Sequence, residues 1–290
     1  MTPSVAPVGF IGLGQIGTPM ARRLVDWPGG LSVCDAVSAT TDSFAERGAH
    51  VAATPAEVAE RSAVISIMVR DDAQVSDVVT GPDGILSTAR PGTVVAIHST
   101  VEADTPERLA VLASDRQVHV VDAPVSGGVM GAAAGTLAIM VGGSDDAVAL
   151  VREPFSRFAD LVAHMGPVGA GTRAKLARNL VTFAAYAAGG EALRLAEASG
   201  VNLAMLGEVV RHSDRVTGGP GAVMLRTSAS PLAPTDSLYD IFQHTRSLGE
   251  KDLRLAMDLG SQVGVDLPIA RLALELLGAA LGVPGEGIEP

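Results

Sequence analysis

The sequence predicts an α/β domain built on a mostly parallel, doubly wound sheet, followed by an all-α domain, with one long helix joining them. Three observations predict this. Short Val/Ile-rich runs alternate with helical stretches up to about residue 165. A glycine-rich turn follows the first of those runs directly. After Gly171 such runs cease, and apolar residues recur at three- and four-residue spacing.

The runs are residues 8–11, 31–34, 64–69, 93–98 and 118–122. They are short, apolar and β-branched, which suits strands buried on both faces. Segments such as 19–25 and 106–113 carry Pro at a first helical turn. Strand–helix alternation of this kind means right-handed crossovers and a doubly wound sheet. Residues 137–141 and 161–164 extend that sheet. Residues 172–199 read as one helix of about seven turns, and 202–211, 240–263 and 268–281 as further helices. Residues 213–237 read as an irregular connection and 282–290 as a loose tail. The expected division is an α/β domain over 1–166 and an all-helical domain over 167–290.

With 290 residues and 47% hydrophobic content, the chain can bury a core without staples. Aromatics are 3%, so that core is built of Ala, Val, Leu and Gly. A formal net charge of −11 argues against nucleic acid as a partner, which needs a cationic field. It leaves room for a small anionic substrate, for which a few local cations suffice. The single Cys34 excludes an intrachain disulfide and multi-cysteine metal sites. The six histidines form no metal-ligand spacing, so no metal is expected. Mean hydropathy is +0.33, yet the longest apolar candidate, 267–283, is broken by Arg271 and Glu275, so no membrane span is expected. No secretory signal pattern opens the sequence, and a cytoplasmic protein is expected.

The strongest local motif is Gly12-Leu13-Gly14-Gln15-Ile16-Gly17, between a strand and a helix. Gly12 permits the tight turn, Gly14 lets a pyrophosphate approach the backbone, and Gly17 lets helix and strand pack. Asp35 stands where a carboxylate would bind both adenosine ribose hydroxyls and repel a 2′-phosphate, which favours NAD over NADP. A turn-capping role for Asp35 is the other reading. Lys175 and Asn179 stand four residues apart and share a helix face, continued by Thr182 and Tyr186. Leu176, Leu180, Phe183 and Ala187 are expected to pack on the other sides. A partly desolvated lysine has a lowered pKa and can exchange protons; a solvated helix face fits the same spacing. Cys34 reads as a buried structural thiol. His98 and His244 fit either packing or a cleft lining.

Taken together, these residues resemble the β-hydroxyacid dehydrogenase family. Four blocks match in order: GFIGLGQIGTPMARRL from Gly9, DAPVSGG from Asp122, GAGTRAKLARN from Gly169 and KDLRLA from Lys251. The resemblance implies a Rossmann domain, a long interdomain helix and a helical domain that builds homodimers or homotetramers. It implies NAD-linked oxidation of a small 3-hydroxy acid or reduction of the matching semialdehyde. By the same resemblance Lys175 is the general acid/base and Asn179 orients the substrate. Ser126, Gly127 and Gly128 hold its carboxylate. Lys251 reaches the nicotinamide end, and Val69, Arg70 and Thr100 contact the cofactor. Burial and a second cation, Lys251 or Arg178, are expected to depress the Lys175 pKa. Arg178 departs from the family pattern, in which two asparagines are adjacent, and His98 replaces Asp or Ser. Two rivals remain: an imine reductase-like enzyme, disfavoured by Lys175, and a non-catalytic NAD-binding regulator.

Overall fold

The protein is described by a computed structural model covering residues 5–283 except 225 and 227. The tail beyond 283 lies outside the described residues. The first half carries β1 (Val8–Ile11), α1 (Gly17–Arg22), β2 (Leu31–Cys34), α2 (Asp42–Ala45), β3 (His50–Val51), α3 (Pro55–Arg61), β4 (Val64–Ile67), α4 (Asp72–Thr80), β5 (Val94–Ile97), α5 (Thr105–Ser114) and β6 (His119–Asp122). It continues through β7 (Val125–Ser126), α6 (Gly128–Ala134), β8 (Leu137–Gly142), α7 (Asp145–Phe155) and β9 (Ala159–Gly166). Four long helices follow: α8 (Ala170–Ala198), α9 (Leu203–Thr217), α10 (Tyr239–Val263) and α11 (Pro268–Ala280).

The sheet order is β3-β2-β1-β4-β5-β6-β8-β7, with β9 on the free edge of β8. Strands β1 to β6 are all parallel. The chain therefore reverses its direction of travel between β1 and β4, and such a switch point opens a crevice at the strand C-termini. β8 turns antiparallel to both β6 and β7, while β9 runs parallel to β8. Strands β3 and β7 escape the sequence reading because two residues carry no detectable period.

Alternate residues of each strand enter two different cores, as the two-residue strand period requires. Phe10, Val33, Val94, Ala96 and Val121 join Met20, Leu24, Phe155 and Phe158 on one face. Ile11, Ile65, Ile67, Val95 and Ile97 join Val58, Val75, Val79 and Leu109 on the other. Burial on both faces is why these strands read as continuous apolar runs.

The chain divides into two compact units, Met1–Arg178 and Asn179–Pro290, and α8 crosses the division. In the second unit Phe242, Leu281 and Val283 form a small core. Leu176, Leu180 and Phe183 were expected to pack, but they are 42%, 72% and 62% exposed. These apolar side chains of α8 are thus exposed rather than packed.

His98 settles on the packing reading. It is buried among Phe10, Phe155 and Phe158. Its Nδ1 lies 2.7 Å from Ala123 O and its Nε2 3.0 Å from Ser66 Oγ. Burial lowers its pKa to about 4, only partly opposed by the Ala123 hydrogen bond. The neutral ring thus ties the strand ends of β4, β5 and β6 together. His244 lies exposed on α10.

This gives an acid-stability prediction. The unfolded histidine takes up its proton near pH 6.5, the folded one only near 4. Stability from neutral His98 is therefore full above about pH 6.5 and lost as pH falls toward 4. The expected loss is about 3 kcal/mol. Denaturant unfolding, followed by the fluorescence of the lone Trp27, should fall more steeply over that window for the wild type than for His98→Asn. Parallel curves would contradict the assignment.

Candidate functional site

The glycine-rich turn begins where β1 ends. Gly12 has φ +94°, and a Cβ there would collide with Met68 O. A Cβ at Gly17 would collide with Gly12 O. Both are close approaches that only glycine allows. Gly14 differs, because nothing lies within 4 Å of where its Cβ would be. The turn is therefore tight underneath and open above, which fits a pyrophosphate lying on the backbone. Gly14 and Gln15 are exposed, Ile16 is half-buried and Leu13 is buried.

Asp35 follows β2 and turns toward this loop. Its Oδ2 accepts from Leu13 N at 2.5 Å and its Oδ1 from Val37 N at 2.8 Å. The carboxylate thus caps its own turn and pins the glycine loop. Each oxygen keeps further lone-pair capacity for a hydroxyl donor. Neighbouring Cys34 is buried, and burial, with Asp35 adding to it, pushes its thiol up to about 11. That is an inert thiol at neutral pH.

The loops after β4 and β5 are tied together. Val69 N donates to Ser99 Oγ at 3.0 Å, and Ser99 Oγ donates back to Val69 O at 2.8 Å. Arg70 and Thr100 flank this pair and are exposed. The sequence reading missed Ser99, which holds both predicted loops in place.

The second cluster forms around β6, β7 and the start of α8. Lys175 is half-buried, and its Nζ donates to Val125 O at 2.6 Å. Burial depresses its pKa below the ordinary lysine value, and the nearby positive charge of Arg178 adds to this. Burial and Arg178 are two of the perturbers expected from sequence. Ser126 is half-buried, while Gly127 and Gly128 are exposed with φ +132° and +62°. No heavy atom lies within 4 Å of a Cβ built on Gly128. The loop thus presents backbone to open space directly after the carbonyl that holds the lysine. Asn179 lies one turn beyond Lys175 on α8, half-buried. Lys251 lies on α10, largely exposed, with its Nζ 3.2 Å from Asp252 Oδ1.

One sequence signal went unused. Of the 21 Lys and Arg residues, only Lys175 and Lys251 are lysines. Arginine cannot be deprotonated in a protein, whereas lysine shifts its pKa readily on burial. A chain that uses arginine for nearly every cation therefore marks its lysines. Among the described residues, no group of three or more His, Cys, Asp or Glu is placed to hold a metal, and no helix is long and apolar enough to cross a membrane.

Comparison with known proteins agrees with this geometry. Residues 7–166 match the family described as the NAD binding domain of 6-phosphogluconate dehydrogenase. Residues 169–287 match that described as NAD-binding of NADP-dependent 3-hydroxyisobutyrate dehydrogenase. An uncharacterized oxidoreductase of Mycobacterium tuberculosis is 54% identical over 99% of this chain and 97% of its own. The mitochondrial 3-hydroxyisobutyrate dehydrogenase of Mus musculus is 34% identical over 94% of this chain and 81% of its own. A crystal structure from Mycobacterium avium 104, of a protein assigned only as an oxidoreductase, superposes with TM-score 0.91 at 51% identity, covering 96% of this chain and 99% of that one. With an open glycine turn at the sheet's switch point, family matches along nearly the whole chain and dehydrogenases among its relatives, this chain belongs to the β-hydroxyacid dehydrogenase family of NAD(P)-dependent oxidoreductases, which act on hydroxyl groups.

Proposed function

We propose that this protein interconverts a small 3-hydroxy acid and the matching semialdehyde with NAD, using Lys175 as general acid/base. One observation carries the reading. A half-buried ammonium is held by Val125 O at 2.6 Å, immediately before a loop whose backbone opens to solvent.

Gly12 to Gly17, Asp35, Val69, Arg70 and Thr100 would hold the dinucleotide, with Lys251 at its nicotinamide end. When bound, the cofactor supplies the hydride acceptor or donor. The chain's task is to position the substrate and manage one proton. In oxidation, neutral Lys175 accepts the proton of the substrate hydroxyl; in reduction, its ammonium returns it. Desolvation and Arg178 both enlarge the neutral fraction at a given pH. Asn179, on the same helix face, orients the substrate oxygen. The N–H groups of Gly127 and Gly128, with the Ser126 hydroxyl, hold the carboxylate. The Asp35 carboxylate favours NAD because a 2′-phosphate would face its negative charge.

The second unit supports a homodimer or homotetramer. Leu180, Phe183 and Tyr186 on α8, and Val209 and Val216 on α9, are each at least 60% exposed. Apolar faces of this kind mark interfaces more often than free surface. Sedimentation at micromolar concentration should show an oligomer; a stable monomer would contradict this part.

Lys175→Ala should lower kcat by about 10²–10⁴-fold with NAD affinity retained, as for loss of a general acid/base. Lys175→Arg should be equally poor, because guanidinium holds its proton. Retained turnover in either variant removes the lysine from the chemistry.

The pH profile supplies a second check. Oxidation needs the neutral amine, so kcat/KM rises as pH climbs through the Lys175 pKa. Arg178→Asn removes a like charge, stabilises the ammonium and raises that pKa. Its rising limb should therefore move to higher pH. A limb that stays in place, or moves down, assigns the titration elsewhere.

For cofactor choice, Asp35→Asn should narrow the NAD-over-NADP ratio of kcat/KM. An unchanged ratio takes Asp35 out of the adenosine site.

A further inference from the structure

α8 starts on a buried carboxylate. Asp122, the last residue of β6, is fully buried. Its Oδ1 accepts from Gly169 N at 2.7 Å and its Oδ2 from Thr172 N at 2.6 Å. These N–H groups belong to the helix start, where no intrahelical acceptor exists. The contact is flush. A Cβ on Gly171 would collide with Met140 O and lie 2.7 Å from Asp122 O. The helix start therefore rests on the backbone of β6 and β8.

Three residues further along each segment, a second contact forms. Val125 follows Asp122, Lys175 follows Thr172, and Lys175 Nζ donates to Val125 O at 2.6 Å. The two segments are thus joined twice, at 122 with 172 and at 125 with 175. The first joint is a carboxylate on backbone amides, with no rotatable donor side chain. The second is the flexible four-carbon stem of a lysine. The stiff joint must set where the flexible one can land.

We propose that Asp122 is a positioning residue for the proton-transfer step. By fixing the register of α8 against β6, it fixes where the Lys175 ammonium sits and how much water reaches it. The inference rests on Lys175 being the acid/base. Asp122 itself touches neither substrate nor cofactor in this role. Other charged or titratable groups around this helix start include Arg173 and Arg178 on α8, Glu107 on α5, and His164 on β9, whose Nε2 lies 2.9 Å from Gly143 O and Gly166 O and whose Nδ1 lies 3.4 Å from Asp145 Oδ1 on α7. Glu107 pairs with Arg173 at 2.9 Å in an exposed bridge. Such a bridge contributes little to stability, so Glu107→Gln serves as the control for general loosening.

The test uses the two-lysine composition. Lysine labelled with ¹³C at Cε gives two signals, and the one lost in Lys175→Ala is Lys175. In the wild type Lys175 should titrate below the ordinary lysine value. In Asp122→Asn its midpoint should move up toward the ordinary lysine value, and the rising limb of kcat/KM should move with it. Turnover should fall about tenfold or more, as for a misplaced catalytic group, with the Kd for NAD unchanged. Glu107→Gln should leave the Lys175 midpoint in place. A folded Asp122→Asn protein with a wild-type Lys175 midpoint and limb overturns the proposal. Undiminished activity in Lys175→Ala instead overturns the function reading, so the two failures are distinct. Should Asp122→Asn not fold, hydrogen exchange on the wild type decides. The amides of Gly169 and Thr172 should exchange as slowly as those of β6; rapid exchange at either overturns the anchor.

Discussion

The Asp122 carboxylate on the first turn of α8 is the constraint from which the candidate site follows. A carboxylate in a dry core is costly unless its oxygens are matched. Here two backbone N–H groups and the positive end of a 29-residue helix match them. The same carboxylate ends β6, so it fastens sheet to helix. The device recurs further along α8. Glu191 is buried and accepts from Ile269 N at 2.7 Å and Ala270 N at 3.1 Å, at the start of α11. One helix is thus held at its start by a carboxylate and holds another helix's start with a second one. Neither start shows a hydroxyl or amide side-chain cap, because the tertiary carboxylate already occupies the orphan amides.

Electrostatics at Lys175 is a contest between near and far. A net charge of −11 would favour the ammonium and raise its pKa. Those charges are spread over the surface, and beyond about 8 Å salt screens them at physiological ionic strength. Desolvation and the Arg178 charge act locally and are screened much less. The near effects win, and the lysine is depressed inside an acidic protein. The same reasoning would let an acidic chain take the proposed anionic substrate, since only the local field and nearby backbone amides would act at contact distance.

Much of this was legible in the sequence. The parallel strands could be read because burial on both faces makes them unbroken apolar runs, and the glycine turn because each glycine has a separate steric duty. Lys175 could be placed because α8 gives it a fixed phase with Asn179. What escaped was tertiary by nature. Ser99 clamps Val69 across 30 positions of sequence, and no periodicity marks such a pair. Asp122 was read as part of a matching block, yet its partners lie 47 and 50 residues away. His98 was left open because a histidine in an apolar run fits a core or a cleft equally well. Three surrounding phenylalanines decide it, and all three, Phe10, Phe155 and Phe158, are remote in sequence. The apolar residues of α8 were expected to supply packing, because helical spacing shows a face but not what lies against it.

α8 therefore has two different kinds of support along its length. Its first turn is fixed by hydrogen bonds that need no partner chain, and these are also the bonds nearest the lysine. Beyond Arg178 it shows Leu180, Phe183 and Tyr186 to solvent, with Phe183 and Tyr186 in edge-to-face contact at 6.0 Å. Burying three such side chains is worth several kcal/mol, comparable with a large part of the net stability of a domain. Association through that stretch would add stability by mass action without altering the contacts that set the lysine. The geometry at Lys175, the proposed proton-transfer group, and the stability of the helix that carries it are thus separable. The first depends on one buried carboxylate, and the second on how the rest of the helix is covered.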